Sequence, residues 1–110
     1  MNHYFTDNRH LAQNRKEITF RFSCFTCRFI TDNGVFCKDH VDAGSQLLLE
    51  TIERHGPLGE RVLDLGCGYG TIGIVLKKLY PNSAMTMAEI NPRSLELAQE
   101  NAQRNEVEVR

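Results

Sequence analysis

The spacing of hydrophobic residues changes several times along the chain, and each change predicts an element. Ile18, Phe20 and Phe22 share one parity, Phe25, Cys27 and Phe29 share the other, and Ser23 and Cys24 lie between. This switch predicts a β-hairpin turning near Cys24, with both apolar sets on one face and Arg21 and Arg28 outward. Thr31-Asp-Asn-Gly34 reads as a turn. Val41 to His55 is helical in spacing through Leu47, Leu48, Leu49 and Ile52, with Ser45 as the expected N-cap and Gly56-Pro57 as the stop. Val62, Leu63 and Leu65 form a short apolar run, as expected of a strand covered on both faces. Ile72, Val75, Leu76 and Leu79 restore a helical period, and Ala84 to Ala88 gives a second strand. Asn91 then caps a helix with Pro92 at its first position and Leu95, Ala98 and Ala102 on its apolar side; Asn105 closes it. Glu106 to Arg110 begins another strand. Strand, helix and strand in this order predict a right-handed crossover. The expected fold class is therefore α/β: an N-terminal hairpin and helix, then the first βαβα units of a doubly wound, Rossmann-like sheet. The hairpin is expected to lid or flank that sheet.

Composition changes this picture little. Residues 1–16 are polar and without period, including His3 and His10 as surface residues, so the organised part is expected over 17–110. A hydrophobic content of 41% and a charged content of 25% suit a soluble globular chain, and no apolar run approaches the ~20 residues of a membrane span. The first residues lack a basic start followed by an apolar stretch, so a cytoplasmic location is expected. The net charge of -1 gives no sign of nucleic-acid binding. Cys24-x-x-Cys27 followed by Cys37-x-x-His40 has a spacing that could close a tetrahedral zinc site. The strand parity favours the other assignment, with Cys27 in the core, Cys24 in the turn and no metal bound.

The chemistry concentrates between Arg61 and Gly73. Gly66, Gly68 and Gly70 alternate after the first inner strand, which lets the backbone turn and lets a ligand approach main-chain N–H groups with no Cβ in the way. The helix that follows points its free N–H groups at the loop, where an anionic ligand group would sit. Gly68-Tyr-Gly-Thr-Ile-Gly73 matches the dinucleotide fingerprint, and Glu89 lies where an acid on ribose hydroxyls is expected. The alternative frame is Asp64-x-Gly66-x-Gly68-x-Gly70. A carboxylate at the strand mouth repels a pyrophosphate but attracts a ligand with an ammonium and a cationic sulfur, such as S-adenosylmethionine. Cys67 lies inside the loop with no base fixed beside it in sequence, so a nucleophilic role is not expected.

Val62-Leu-Asp-Leu-Gly-Cys-Gly-Tyr-Gly70 followed by Ala88-Glu-Ile-Asn91 resembles the first two motifs of class I S-adenosylmethionine-dependent methyltransferases. Gly34-Val-Phe-Cys-Lys-Asp-His-Val-Asp-Ala-Gly-Ser-Gln-Leu-Leu-Leu49 resembles the entry segment of the methyltransferase small domain family, which includes ribosomal RNA guanine-N2 methyltransferases. Cys37 stands where that family usually has serine. The resemblance implies S-adenosylmethionine as cofactor, held by Asp42, Gly44, Asp64, Gly66, Cys67, Gly68, Gly70, Glu89, Ile90 and Asn91, and ribosomal RNA as partner. Asp42, Gly44 and Ser45 would lie near the methionine end. No catalytic residue is assigned, because the family's Asn-Pro-Pro-aromatic motif for the target amine is absent and the chain ends before it could occur. The 110 residues are thus expected to hold the N-terminal, cofactor-binding part of such a domain, inactive alone, with open strand edges that invite self-association. A nicotinamide-dinucleotide oxidoreductase and a small zinc-binding module are the alternatives.

Overall fold

The structure is a computed structural model that describes residues 14–110. Most of the polar segment at 1–16, with His3 and His10, lies outside the described residues. Strand β1 (Lys16–Phe22) pairs antiparallel with β2 (Phe25–Thr31), Ile18 opposite Phe29 and Phe20 opposite Cys27. The alternating burial is the one parity predicts: Ile18, Phe20, Phe22, Cys27 and Phe29 form the core face, while Arg21 and Arg28 are exposed. Ser23, with φ of 55°, and Cys24 make the turn.

Helix α1 (Ala43–His55) follows, then β3 (Arg61–Leu65), α2 (Thr71–Leu79), β4 (Ala84–Ala88) and α3 (Pro92–Arg104). The N-cap of α1 is Asp42 and not Ser45. Ser45 is the donor, its backbone N–H reaching Asp42 Oδ2 at 3.0 Å and its hydroxyl reaching Oδ1 at 2.7 Å. β3 and β4 pair in parallel, Asp64 opposite Met87. The strand expected over Glu106 to Arg110 is not formed as an element; Arg110 alone bonds to the edge of β4, its N–H donating to Met85 O at 2.9 Å and its carbonyl accepting from Met87 N–H at 2.6 Å.

One further expectation changes. β3 is covered on one face only: Leu63 and Leu65 are 58% and 79% exposed, while Met85 and Met87 of β4 are buried under the helices. Successive right-handed crossovers running in one direction put α2 and α3 on the same side, which leaves the other side open in residues 14–110. The hairpin, for its part, forms its own two-stranded sheet and does not pair with β3–β4. It flanks the β3–β4 sheet chiefly through the helices, packing on α3 and α2.

Two asparagines explain that docking. The outer edge of β2 presents unpaired N–H and C=O groups at Arg28 and Ile30. Asn101 accepts from Ile30 N–H at 2.7 Å and donates to Ile30 O at 3.1 Å. Asn105 repeats the pattern one helical turn on, accepting from Arg28 N–H at 3.1 Å and donating to Arg28 O at 2.9 Å. Residues four apart on a helix rise about 6 Å and residues two apart on a strand about 6.7 Å, so the two amides stand in for a neighbouring strand. Asn101, fully buried, also donates to Tyr69 O at 2.8 Å, tying the hairpin edge and α3 to the glycine loop.

Candidate functional site

The loop after β3 is built by backbone before side chains. Gly66, Gly68 and Gly70 have φ of 72°, 59° and 106°, all in the region that favours glycine. The N–H groups of Gly66 and Cys67 both donate to Ala88 O, at 2.8 and 2.9 Å, which fixes the loop to the end of β4. A Cβ placed on Gly66 or Gly68 would meet no atom within 4 Å, whereas one on Gly70 would come within 2.8 Å of Ile74 Cδ1 and within 3.4 Å of the Ala98 backbone. The first two glycines keep space open, and the third lets α2 and α3 approach.

A cavity of about 400 Å³ lies at this loop, at the C-terminal ends of the parallel strands. Of the residues expected at the site, it is lined by Asp42, Asp64, Gly66, Cys67, Gly68, Glu89 and Asn91. Gly44, Gly70 and Ile90 lie outside the lining. Phe36, Tyr69, Thr71, Ile72 and Ser94 line it without having been assigned a place there. Ser45 lines it as well.

The charged groups are held in place. Asp64 Oδ2 accepts from Gly73 N–H at 3.0 Å, so the start of α2 is capped by a strand carboxylate. That satisfies one of the free N–H groups of the helix terminus and sets a carboxylate beside it. Glu89 accepts from Gly68 N–H at 2.8 Å and from Asn91 N–H at 2.9 Å, linking the glycine loop to the cap of α3. Neither carboxylate has a Lys or Arg ion-pair partner among the described residues. Burial lifts the Asp64 carboxyl above its ordinary range; the Gly73 amide opposes this and the Glu89 charge adds to it. Burial, with the fields of Asp64 and Glu89, pushes the Cys67 thiol up to about 12, so Cys67 stays a neutral thiol. Burial also opposes ionisation of Asp42, but the hydroxyl and amide of Ser45 outweigh it and keep that carboxyl below its ordinary range.

Tyr69 is only 6% exposed and packs on Phe29 with ring centroids 6.0 Å apart. Its hydroxyl donates towards Cys37 O at 3.0 Å and His40 O at 3.3 Å, fastening the segment between β2 and α1 over the glycine loop. Cys27 is fully buried and Cys24 exposed in the turn, and no group of three or more metal-ligating side chains converges among the described residues.

The chain has relatives. The sequence profile of the methyltransferase small domain family matches residues 26–110. The uncharacterized protein YbxB of Bacillus subtilis is 37% identical over 103 residues, covering 94% of this chain and 51% of YbxB. Ribosomal RNA small subunit methyltransferase C of Pasteurella multocida is 41% identical over 76 residues, 69% of this chain and 23% of that protein. A solved 16S rRNA guanine-N2 methyltransferase of T. thermophilus, in complex with AdoMet and guanosine, superposes with a TM-score of 0.80 at 27% identity, covering 87% of this chain and 26% of that one. The chain therefore spans about half the length of the first relative and about a quarter of the other two.

Proposed function

The chain belongs to the methyltransferase small domain family, and from that premise we propose that it is the S-adenosylmethionine-binding part of a methyltransferase acting on an exocyclic amine of guanine in ribosomal RNA. The observation that carries this is the pair of carboxylates, Asp64 and Glu89, facing one cavity with no cation partner among the described residues. A cavity with that field suits a cation and disfavours a pyrophosphate, which would meet the Asp64 carboxylate bonded at the start of the helix. The two loop glycines with no atom within 4 Å of a Cβ leave the room such a ligand needs.

In this assignment Asp64 and Asp42 attract the cationic amino acid end and Glu89 receives the ribose hydroxyls. The loop from Gly66 to Gly70 and the positions Ile90 and Asn91 frame the nucleoside, with Gly44 setting the start of α1. The cofactor supplies a methyl group made electrophilic by its sulfonium. The residues described hold and orient; none is assigned the transfer step. Residues 17–110 act as the N-terminal part of the domain, in the cytoplasm, with ribosomal RNA as the partner that the P. multocida and T. thermophilus proteins suggest. No described helix is long and apolar enough to cross a membrane. The open face bearing Leu63 and Leu65 supports self-association of this chain, which sedimentation velocity would register as species heavier than 12.6 kDa.

Calorimetric titration with S-adenosylhomocysteine and with NAD tests the proposal, the expected result being heat from the first ligand and none from the second. NAD binding without S-adenosylhomocysteine binding would overturn it. The same titration has a defined pH dependence. A cationic ligand end favours ionised Asp64, so binding lowers a carboxyl pKa that burial holds high in the free protein. Affinity is therefore full above the raised value and is lost as pH falls through it, approaching about tenfold per pH unit for one proton taken up. Asp42, held low, remains charged through that window. An affinity flat from neutrality to pH ~4, in protein that circular dichroism shows to be folded, would remove Asp64 from the ligand contact.

A further inference from the structure

Phe36 is 76% exposed, yet it lines the same cavity as Asp64 and Glu89. An exposed phenylalanine in a loop ordinarily has the freedom to fold back on the core, and this one does not, because its loop is tied on both sides. Before it, Gly34 O accepts from Asn91 Nδ2 at 3.3 Å and Asn33 O accepts from Arg93 at 3.1 Å. After it, Cys37 O accepts from the Tyr69 hydroxyl at 3.0 Å and Lys38 O accepts from the Thr31 hydroxyl at 2.5 Å. Cys37 is also held at φ of 51°, a conformation that costs energy in any residue with a Cβ and persists only where its surroundings impose it. Three of these four ties come from the glycine loop and the N-terminal end of α3, both of which line the cavity, and the fourth from the end of β2. A rigid backbone that presents an apolar ring at a cavity mouth, beside carboxylates suited to a ribose and an ammonium, has the form of a stacking platform.

Resting on the cofactor assignment above, we infer that Phe36 is a base-stacking residue, its ring packing on a purine at the cavity mouth. The purine is either the adenine of the cofactor or the guanine to be methylated, and the two are separable by titration. The sequence contains no tryptophan, so Phe36→Trp introduces a sole indole that reports directly on stacking. The expected result is quenching of that fluorescence by S-adenosylhomocysteine if adenine is the partner, or by guanosine added to the S-adenosylhomocysteine-saturated protein if guanine is. In parallel, Phe36→Ala should weaken the same ligand roughly tenfold or more while Phe36→Tyr retains it, since a stacked base is lost with the ring and kept with any ring. Unquenched indole fluorescence together with unchanged affinities for both ligands in Phe36→Ala would overturn the stacking role. Failure of the unsubstituted chain to bind S-adenosylhomocysteine is a separate result and would overturn the cofactor assignment on which the inference stands.

Discussion

Asn101→Ala is expected to destabilise the fold by about 3 kcal/mol, more than any other substitution of a polar side chain considered above. Three buried backbone groups depend on that one amide: Ile30 N–H, Ile30 O and Tyr69 O. Asn101 is fully buried, so water has no ready access to replace it, and each orphaned group costs about 1–3 kcal/mol. A domain of this size has only about 5–15 kcal/mol in total. Asn105→Ala should cost less, about 1 kcal/mol, because Asn105 sits nearer the surface and Arg28 borders solvent. Urea midpoints at constant m-value decide the matter. Equal midpoints for Asn101→Ala and the unsubstituted chain would mean that the helix-to-strand-edge ladder does not hold the hairpin.

Nothing in the local sequence announces that ladder. Asn105 reads as the residue that closes the helix and nothing singles out Asn101, and their partners lie 77 and 71 residues earlier. Period alone locates the faces of an element; it does not show which polar residue will meet another element's unpaired edge. The hairpin itself was legible because parity inverts at Cys24, and an inversion of parity has few structural solutions. The βαβ core was legible because the glycines, the helical period and the short apolar runs all agree. The apolar run at Val62 to Leu65 misled on one point. A continuous apolar strand is consistent with cover on both faces, but cover is supplied by other elements, and here α2 and α3 share one side.

The site was legible to a similar depth. Asp64 stands out because an acid interrupts an apolar strand and needs a partner there, and Glu89 because it follows the second strand where an acid on ribose hydroxyls is expected. Their partners in the free protein, Gly73 N–H and Gly68 N–H, follow from the turn of the chain and could not be read from composition. Phe36 and Tyr69 escaped assignment for a different reason. Both are aromatic residues in loops, where one side chain points to solvent and another to the core according to long-range ties alone.

The largest effect on ligand binding is expected from Gly68→Val: affinity for S-adenosylhomocysteine falls by about 100-fold or more, equivalent to about 3 kcal/mol. Gly68 holds φ of 59°, and a left-handed conformation costs a residue with a Cβ about 1–2 kcal/mol, more when the side chain is branched. Relief of that strain would turn Gly68 N–H away from Glu89 Oε1, 2.8 Å distant, and so disturb the acid assigned to the ribose. If the backbone does not relax, the isopropyl group occupies cavity space, since no protein atom lies within 4 Å of its Cβ position. Both outcomes damage binding, and neither breaks a packed core. Gly73→Ala provides the contrast. Its Cβ would come within 2.9 Å of Met87 Cγ and Sδ and 3.2 Å of Asp64 Oδ2, so that variant should lose thermal stability as well as affinity. Calorimetry and thermal melts on the two variants separate a glycine that makes room for ligand from one that makes room for protein. Normal affinity in folded Gly68→Val would place the ligand away from this loop, however well the rest of the fold matched its relatives.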